Sequence, residues 1–555
     1  MHKIQGKSSF KIQIVSFNRR QGKWVFRIKV KSASKFFVKG VILKQRKGGL
    51  TYQLPFKLIS SNNHTEKIEF EVVPNKIQLG SFYWDFFVDL DNGEFIRHRI
   101  KNPGYMVMKK LNKRLHISYD YGEYFFYPYL TVKNGLSLCC RYKSNYDKHS
   151  YIIKEKVALI LYFLFKWYWN RKKIWLVYEK FSQTAQDNSY YFFKYSCDNK
   201  LTDNLYYVIK PQSKDYKYLF EYKNKVIEFM SIKHIIYILA CKFIISSESR
   251  AHSYIWKENR GFVKRTINRK KHVFLQHGVL GLKKVDSIFK KGNVNGTNLF
   301  IASSEFEKDI LIKHFGYTEN EIIITGLARW DYLENKNKEN QILLLPTWRE
   351  WLDGSSDEDF KKSEFYYQYD TLLNSKSFID LLEKNSITLK FCLHPRIHKF
   401  HNHFHSKSKN IKFAKYGEER INDLIMESSL LITDYSSVAW EMYYLKRPVV
   451  FFQFDINDEK YPGTYLDMDN EHFGDRCFNS SQLIKTLRHY IQQGFKEKKQ
   501  FASMRNYFFM YQDKNNSKRI YQAIRDKEKQ LSEKQLFLTI KNSDIYRSLR
   551  CKISS

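Results

Sequence analysis

The sequence is poor in proline, has no CxxC motif, and has no acidic residue in its first 60 positions. Only 9 prolines occur in 555 residues while aromatic residues reach 17%, which argues against disorder and predicts large buried cores. The 7 cysteines are an odd number and form no CxxC pair. This pattern argues against a disulfide framework or a zinc ribbon and fits a reducing compartment.

Signals for export or for crossing a membrane are also missing from the sequence. The N-terminal segment MHKIQGKSSFKIQIV lacks the apolar core of a signal peptide. No run reaches the roughly 20 apolar residues needed to cross a bilayer. We therefore expect a cytoplasmic protein, and its length predicts roughly three or four domains.

Positive charge dominates the residues that are present. Lys and Arg number 95 against 57 Asp and Glu, which gives a net charge of +38. A chain of this charge is expected to bind a polyanion, such as nucleic acid, an acidic membrane face or a phosphate-rich substrate.

Residues 1–135 predict a basic, β-sandwich-like domain. Apolar and basic residues alternate from Trp24 to Lys31, and further strands are expected at 10–17, 37–44, 66–73, 82–90 and 94–100. The basic outer face is either a solvated surface or a dock for phosphates and anionic lipid. The absence of acidic residues up to position 60 favours docking.

Residues 136–173 predict a linker that contains an amphipathic helix. Apolar residues from Val157 to Phe165 are followed by Trp and Tyr residues and then by the basic run 171–173. This arrangement suits a helix lying in a membrane interface, and the alternative is a buried helix between domains.

The sequence predicts two Rossmann-like halves, at 174–335 and 341–515, that face each other across a cleft. A helical tail is expected at 516–555. Strands and helices alternate in both halves. The strands are expected at 174–178, 205–209, 242–246, 272–276, 298–302, 321–325, 342–346, 389–393, 411–414, 430–434 and 449–454.

The segment 430–455 is the most informative stretch. The segment predicts a βαβ unit. A buried strand ends at Asp434, a turn contains Ser436 and Ser437, a helix begins at Val438, and a second strand follows. The turn lies at the carboxyl end of the sheet, where α/β folds bind ligands. The serine hydroxyls either bind a phosphate or act as ordinary helix caps.

Other polar motifs also follow predicted strands. They are His277–Gly278, Pro346–Thr347, His394 with Arg396, and Arg329 at the end of the first half. A histidine in a glycine-containing turn can approach a ligand closely and can act as a base near neutral pH. The sequence contains neither a GxxxxGK[ST] loop nor a GxGxxG motif after a strand.

Histidines 398, 401, 403 and 405 have a spacing that fits neither one helix face nor a usual zinc loop. We interpret them as part of a solvated loop and expect no metal site.

The motifs within 274–283, 303–306, 325–331, 346–349, 394–396 and 433–438 resemble the CDP-glycerol glycerophosphotransferase family. This family contains the teichoic-acid primases and polymerases of Gram-positive bacteria and relatives in capsule synthesis. The resemblance implies an α/β fold with a GT-B-like pair of Rossmann domains after an all-β, sandwich-like N-terminal domain. It also implies attachment to the cytoplasmic face of the cell membrane and no cofactor.

The resemblance also assigns roles to residues. It implies that His277 and His394 are catalytic. The donor-binding residues that it implies are Gly278, Val279, Leu280, Gly281, Arg329, Pro346, Thr347, Arg396, Ser436, Ser437 and Glu441.

The reaction expected on these grounds transfers glycerol phosphate or ribitol phosphate from its CDP-activated form. The acceptor is the terminal hydroxyl of a prenyl-diphosphate-linked polymer, and CMP is released. His277 on the first half is the expected base, and the second half binds the donor. The anionic inner membrane surface is the other expected partner, and assembly into a homo-oligomer is left open.

Two other classes of protein would account for part of these sequence features. A GT-B glycosyltransferase using a nucleotide sugar would share the fold and the site at the strand ends. A nucleic-acid-binding protein would account for the charge but not for the histidines at strand ends, so we expect no nucleic-acid partner.

Overall fold

The structure is a computed structural model that describes residues 10–46, 50–77, 82–131, 133–256, 261–336, 340–352, 355–414, 419–458, 460–461 and 463–529. Its described residues form two compact units. The first unit draws on 1–157, 254–265 and 349–356. The second unit draws on 158–253, 266–348 and 357–555.

The first unit is built mainly from two antiparallel sheets. One sheet has the order β1-β2-β6-β5, and the other has the order β4-β3-β7-β11-β10-β9 with β8 also paired to β7. The strands are β1 Lys11–Arg20, β2 Lys23–Lys31, β3 Phe37–Gln45, β4 Thr51–Leu54, β5 Phe56–Asn62, β6 Thr65–Val72, β7 Phe82–Asp91, β8 Phe95–Arg99, β9 Tyr119–Tyr121, β10 Tyr124–Leu130 and β11 Leu136–Tyr142.

The period-two pattern of β2 sends its apolar residues into the core. Phe26, Ile28 and Val30 are fully buried, while Arg27 points outward. Arg27 pairs with Glu69 of β6 at 2.6 Å. The acid-free N-terminal segment therefore receives some of its counter-charges from a strand that lies beyond residue 60.

The second unit contains two wholly parallel sheets. The first has the order β14-β13-β12-β15-β16-β17-β18, and the second has the order β21-β20-β19-β22-β23-β24. The strands are β12 Trp175–Tyr178, β13 Leu205–Ile209, β14 Val226–Glu228, β15 Phe243–Ser246, β16 Lys271–Phe274, β17 Leu299–Ala302, β18 Ile322–Ile324, β19 Gln341–Leu344, β20 Thr388–Cys392, β21 Ile411–Ala414, β22 Leu430–Thr433, β23 Val449–Phe452 and β24 Asp475–Cys477.

Helices connect these strands. The α-helices are α1 Tyr105–Leu111, α2 Arg114–Ile117, α3 His149–Leu164, α4 Lys166–Arg171, α5 Asn188–Asp198, α6 Ile232–Ala240, α7 Phe262–Arg269, α8 Asp286–Phe289, α9 Glu305–Ile310, α10 Asp357–Lys361, α11 Glu364–Asn374, α12 Lys376–Lys384, α13 Ile421–Glu427, α14 Ala439–Tyr444, α15 Ser480–Gln492, α16 Lys499–Ser503 and α17 Arg505–Phe508. Short 3₁₀ helices include Lys180–Ser182, Arg250–Ser253, Ala328–Tyr332 and Pro395–His403.

The prediction of an α/β protein with antiparallel β structure before parallel sheets is confirmed. The antiparallel structure extends past residue 135, because β11 pairs with both β10 and β7. Two short edge strands, β14 and β24, have three residues each and gave no hydropathy signal. Helix α9 is followed directly by a π-helical turn at Leu311–Phe315.

The end of the chain is described only in part. A helix covers 516–529, and the rest of the predicted helical tail lies outside the described residues. Asp331 accepts backbone N–H bonds from Asn516 at 2.9 Å and Ser517 at 2.7 Å, so a carboxylate of the first half fixes the start of this helix. Within the described part of the chain, no helix is long and apolar enough to cross a membrane.

Sheet order determines which loops meet. In the first sheet β15 lies between β12 and β16, so the loops after these three strands emerge side by side at one edge. In the second sheet β19 lies between β20 and β22. Their three loops therefore also share one edge, which is where α/β sheets bind ligands.

Candidate active site at the strand ends

His277 lies between two carboxylates in the loop after β16. Its Nδ1 is 2.8 Å from Oδ2 of Asp187, and its Nε2 is 3.0 Å from Oε1 of Glu248. The histidine side chain is 46% exposed, whereas that of Glu248 is 9% exposed. The loop therefore presents the imidazole to solvent and keeps the carboxylates behind it.

Neither carboxylate was identified from the sequence. Asp187 is the N-cap of α5 and accepts from Asn188 N at 2.7 Å. Glu248 comes two residues after β15, so it follows a buried strand in the same way as His277. The position of Glu248 after a strand is therefore a signal that the sequence contains. Asp187 has no such signal, because a longer loop separates it from β12.

The loop that carries Asp187 is held by a buried carboxylate, Glu179, directly after β12. Glu179 accepts the backbone N–H groups of Gln186 at 3.0 Å, Asp187 at 2.8 Å and Tyr190 at 2.9 Å. Burial, with the charge of Asp187, raises the pKa of Glu179 to about 7.

The two carboxylates control the charge of His277. Although burial alone would lower the pKa of His277, Glu248 and Asp187 raise it to about 10. Burial would likewise raise the pKa of Glu248, but His277 and His252 hold it well below its usual range. His252 Nδ1 is 3.1 Å from the other oxygen of Glu248.

Arg329 connects this cluster to the second half. Its Nη1 donates to Asp187 Oδ1 at 2.7 Å and to the carbonyl of His277, and its Nε donates to Glu441 Oε1 at 3.0 Å. Glu441 lies in α14 and also accepts from Trp330 Nε1 at 3.0 Å. Arg329 and Glu441, both expected at the donor site, are thus buried and paired with each other.

Gly278 brings the two halves into contact. A Cβ added at Gly278 would lie 2.7 Å from Oγ and 2.8 Å from Cβ of Ser437, so only glycine fits this approach. Ser436 Oγ accepts from Val438 N at 3.3 Å, which is a local turn contact before α14. The predicted His–Gly and Ser–Ser motifs therefore lie against each other.

The rest of the loop after His277 is anchored on both sides. Val279 is buried, and Leu280 N donates to Glu307 Oε1 at 2.7 Å. The carbonyl of Gly281 accepts from Tyr465 N at 2.8 Å, and a Cβ there would lie 2.8 Å from Trp440. These contacts fix the path of the loop toward Lys283.

Asp434, directly after β22, contacts the loop that follows β19 in the second sheet. It is fully buried and its Oδ1 accepts from Thr347 N at 2.9 Å. Tyr369 donates its hydroxyl to Oδ2 at 3.2 Å. Pro346 is buried beside this contact. Asp434 therefore positions the Thr347 loop next to the turn of Ser436.

His394 lies in a strongly basic environment. Its ring stacks on Trp348 with 6.0 Å between centroids, and the guanidinium of Arg396 lies 4.5 Å from the same indole. The ammonium of Lys283 lies 5.5 Å from that indole. Burial, together with Lys180, Arg396 and Lys283, lowers the pKa of His394 to about 3.

The tautomer of neutral His394 follows from one contact. Its Nδ1 accepts the backbone N–H of Arg396 at 3.3 Å, so the ring proton resides on Nε2. Neutral His394 can therefore donate a hydrogen bond from Nε2 to an anion.

Two loops of the first half contribute charged residues to the surroundings of both His277 and His394. One loop carries Lys180 and Asp187, and the other carries His277 and Lys283. The arrangement combines a histidine between carboxylates with a cluster of cations around a neutral histidine. Such a site can handle a proton at one end and bind phosphate at the other. No group of three or more His, Cys, Asp or Glu suited to a metal occurs among the residues that the structure describes.

Comparison with known proteins identifies the family. Residues 161–526 match the model of the CDP-glycerol:poly(glycerophosphate) glycerophosphotransferases. The match covers more than half of the chain, and the chain belongs to this family.

Individual relatives are similar over part of their length. Minor teichoic acid biosynthesis protein GgaB of Bacillus subtilis (strain 168) is 30% identical over 391 residues, 68% of this chain and 42% of that protein. The teichoic acid poly(ribitol-phosphate) polymerase of Bacillus spizizenii is 26% identical over 266 residues, 44% of this chain and 40% of the polymerase. The chain thus spans less than half the length of these curated relatives.

A solved structure is also similar. The wall teichoic acid polymerase TagF aligns with a TM-score of 0.44 and 16% identity, over 69% of this chain and 99% of that one.

Replacing Arg329 should destabilise the second unit strongly. Arg329→Ala leaves the buried carboxylate of Glu441 and the partly buried carboxylate of Asp187 without their cation, and breaking a buried ion pair typically costs about 3–5 kcal/mol. Urea unfolding followed by tryptophan fluorescence measures the loss. Lys313→Ala removes an exposed ion pair with Asp309 and should change stability by no more than about 0.5 kcal/mol. Equal effects of the two substitutions would contradict a structural role for Arg329.

Proposed function

We propose that this protein transfers a polyol phosphate from a CDP-activated polyol to the terminal hydroxyl of a lipid-linked teichoic acid or capsule polymer. The hydroxyl oxygen forms a bond to the β-phosphorus, the bond from that phosphorus to CMP breaks, and CMP leaves. Membership of the glycerophosphotransferase family supports this class of reaction. The proposed architecture is a GT-B-like pair of Rossmann domains.

The cation cluster around His394 is the observation that carries the proposal. Transfer of a phosphoryl group concentrates negative charge on the phosphoryl oxygens and on the departing nucleotide. Lys180, Lys283 and Arg396 surround His394, whose Nε2 carries a hydrogen. Fixed donors of this kind stabilise the developing charge. We assign the donor diphosphate to this cluster and to the neighbouring Ser436–Ser437 turn.

His277 is the proposed base on the first half. It is the exposed member of its cluster, so an acceptor hydroxyl can approach its ring from the solvent side. Its position next to Ser437, through Gly278, brings the proposed base close to the proposed donor site. Arg329 and Glu441 then support the site by holding the two halves together, without contacting the donor.

The identity of the polyol is the finer part of the proposal. The family description names glycerophosphate, and one relative is named a ribitol-phosphate polymerase. Both CDP-glycerol and CDP-ribitol are therefore candidate donors.

Release of CMP tests the reaction. Purified protein is incubated with CDP-glycerol or CDP-ribitol and a prenyl-linked polyol-phosphate acceptor, and CMP is measured. We expect acceptor-dependent CMP release from at least one donor. His277→Asn should reduce turnover by about 10²–10⁴, because a general base is lost.

A nucleotide-sugar donor serves as the control for the competing GT-B glycosyltransferase. Release of UDP or another nucleotide from a sugar donor, with no CMP from either polyol donor, would contradict the proposed reaction.

We also propose peripheral attachment to an anionic membrane through an exposed apolar patch, defined by Ile160, Phe163, Leu164, Phe165, Trp167 and Tyr168. Phe163, Leu164 and Trp167 are 53%, 64% and 63% exposed. Arg171 lies 5.6 Å from the ring of Trp167, and Lys172 lies 4.8 Å from that of Tyr168. Apolar side chains next to aromatic and basic ones suit a membrane interface.

The opposite side of this segment packs against the rest of the unit, which leaves the patch exposed. Tyr162 is buried, and Trp169 packs on Tyr237 of α6 with 6.0 Å between ring centroids. The same segment thus has one side that packs within the unit and another side of exposed apolar residues.

Vesicle binding tests the patch. Replacing Phe163, Leu164 and Trp167 together with Ser should release the protein from anionic vesicles and leave CDP-polyol binding unchanged. Anionic lipid contributes about 1 kcal/mol per nearby Lys or Arg, so wild-type binding should be weak on neutral vesicles.

A matched control replaces three exposed apolar residues elsewhere in the same unit, Phe220, Tyr367 and Met510, with Ser. This control should still sediment with anionic vesicles. Equal binding by both triple variants would exclude the patch as the membrane contact.

A further inference from the structure

The contacts of His277 define the protonation state of its ring. Each ring nitrogen can donate to a carboxylate only when it carries a hydrogen. Nδ1 is 2.8 Å from Asp187 and Nε2 is 3.0 Å from Glu248, so the ring that makes both contacts is an imidazolium. An imidazolium has no lone pair and cannot accept the proton of a hydroxyl. One of the two contacts must therefore open before His277 acts as a base.

The two carboxylates are anchored to different extents. Asp187 accepts from Asn188 N at 2.7 Å and from Arg329 Nη1 at 2.7 Å, in addition to His277. Beyond His277, the side chain of Glu248 contacts His252 Nδ1 at 3.1 Å. Asp187 is thus fixed by the start of α5 and by Arg329, which also pairs with Glu441 of the second half. The contact with Glu248 is the one that can exchange.

The charged groups around His277 come from several elements. Asp187 precedes α5, Glu248 and His252 follow β15, and Arg329 lies in the 3₁₀ helix Ala328–Tyr332 with Glu441 of α14 behind it. Arg329 also donates to the carbonyl of His277. Two carboxylates thus face the ring directly, while the nearest cation, Arg329, is already paired with acids.

We propose that Glu248 is a positioning residue that keeps Nε2 of His277 occupied and protonated until the acceptor hydroxyl takes its place. This inference rests on the proposed function, because it assigns the step in which His277 becomes a base. The raised pKa of His277 is consistent with it. A carboxylate that blocks the base would suppress reaction of the donor with water while no acceptor is bound.

Protons and electron pairs balance in this step. The Nε2 proton passes to Glu248 and then to solvent, which leaves Nε2 with a lone pair. The acceptor hydroxyl gives its proton to Nε2 as its oxygen bonds to the β-phosphorus and CMP departs with the electron pair of the broken bond. The imidazolium that results returns to Glu248, so one proton is released to solvent per turnover.

The pH profile of Glu248→Gln tests the proposal. Loss of a charge next to the ring should lower the pKa of His277, since a neighbouring opposite charge usually contributes about 1–3 units. The acidic limb of kcat/KM should therefore move to lower pH by at least about one unit. Glu497→Gln removes a carboxylate from a buried ion pair with Arg505 outside this cluster and should leave the limb in place.

Two results would overturn the proposal. One is an acidic limb that does not move in Glu248→Gln. The other is a loss of about 10²-fold or more at every pH, which would make Glu248 itself the proton acceptor. If Glu248→Gln does not fold, Glu248→Asp provides the second variant: its shorter side chain draws the carboxylate away from Nε2, and a smaller shift in the same direction is expected.

A measurement without turnover separates this inference from the proposed function. The ring carbon of His277 is followed by NMR in histidine-labelled protein and is assigned with His277→Asn. Titration at lower pH in Glu248→Gln than in wild type supports the inference, even if neither CDP-polyol releases CMP. Identical titration in the two proteins contradicts it, whatever the activity.

Discussion

The buried ion pair between Arg329 and Glu441 is the interaction on which the site depends. It joins a 3₁₀ helix of the first half to α14 of the second half, and the same guanidinium contacts Asp187 and the carbonyl of His277. Burial of charges at this junction is costly unless each partner is present. Although burial would lower the pKa of Arg329, Glu441 and Asp187 raise it above its usual range. One side chain thus contacts the loop of His277 and also joins the two halves.

The rest of the site follows from that junction. Gly278 can approach Ser437 only if the two halves are held at a fixed separation. Lys283 then reaches Trp348, and the cations around His394 come from both halves. The structure therefore has two distinct clusters, one with His277 between carboxylates and the other with His394 among cations, and the proposed function assigns the proton to the first and phosphate to the second.

The sequence predicted the parts of the site that depend on local order. Buried parallel strands produce continuous apolar runs, so the ends of β16, β19, β20 and β22 were located to within about two residues, and the motifs after them followed. Asp187, Glu248 and Lys180 were missed because their roles arise from sheet order. β15 lies between β12 and β16, and no periodicity in the sequence encodes that neighbourhood. Sequence also cannot show that Arg329 and Glu441 form a buried ion pair.

Under the proposed function, loops of both halves form one site for a CDP-activated polyol. Hydrogen–deuterium exchange with and without CDP-glycerol or CDP-ribitol tests it most directly. We predict slower exchange on donor binding in 277–283 of the first half and in both 394–396 and 434–438 of the second half, with the control segment 214–225 unchanged. Protection confined to one half, or absent at donor concentrations that saturate turnover, would contradict a shared site.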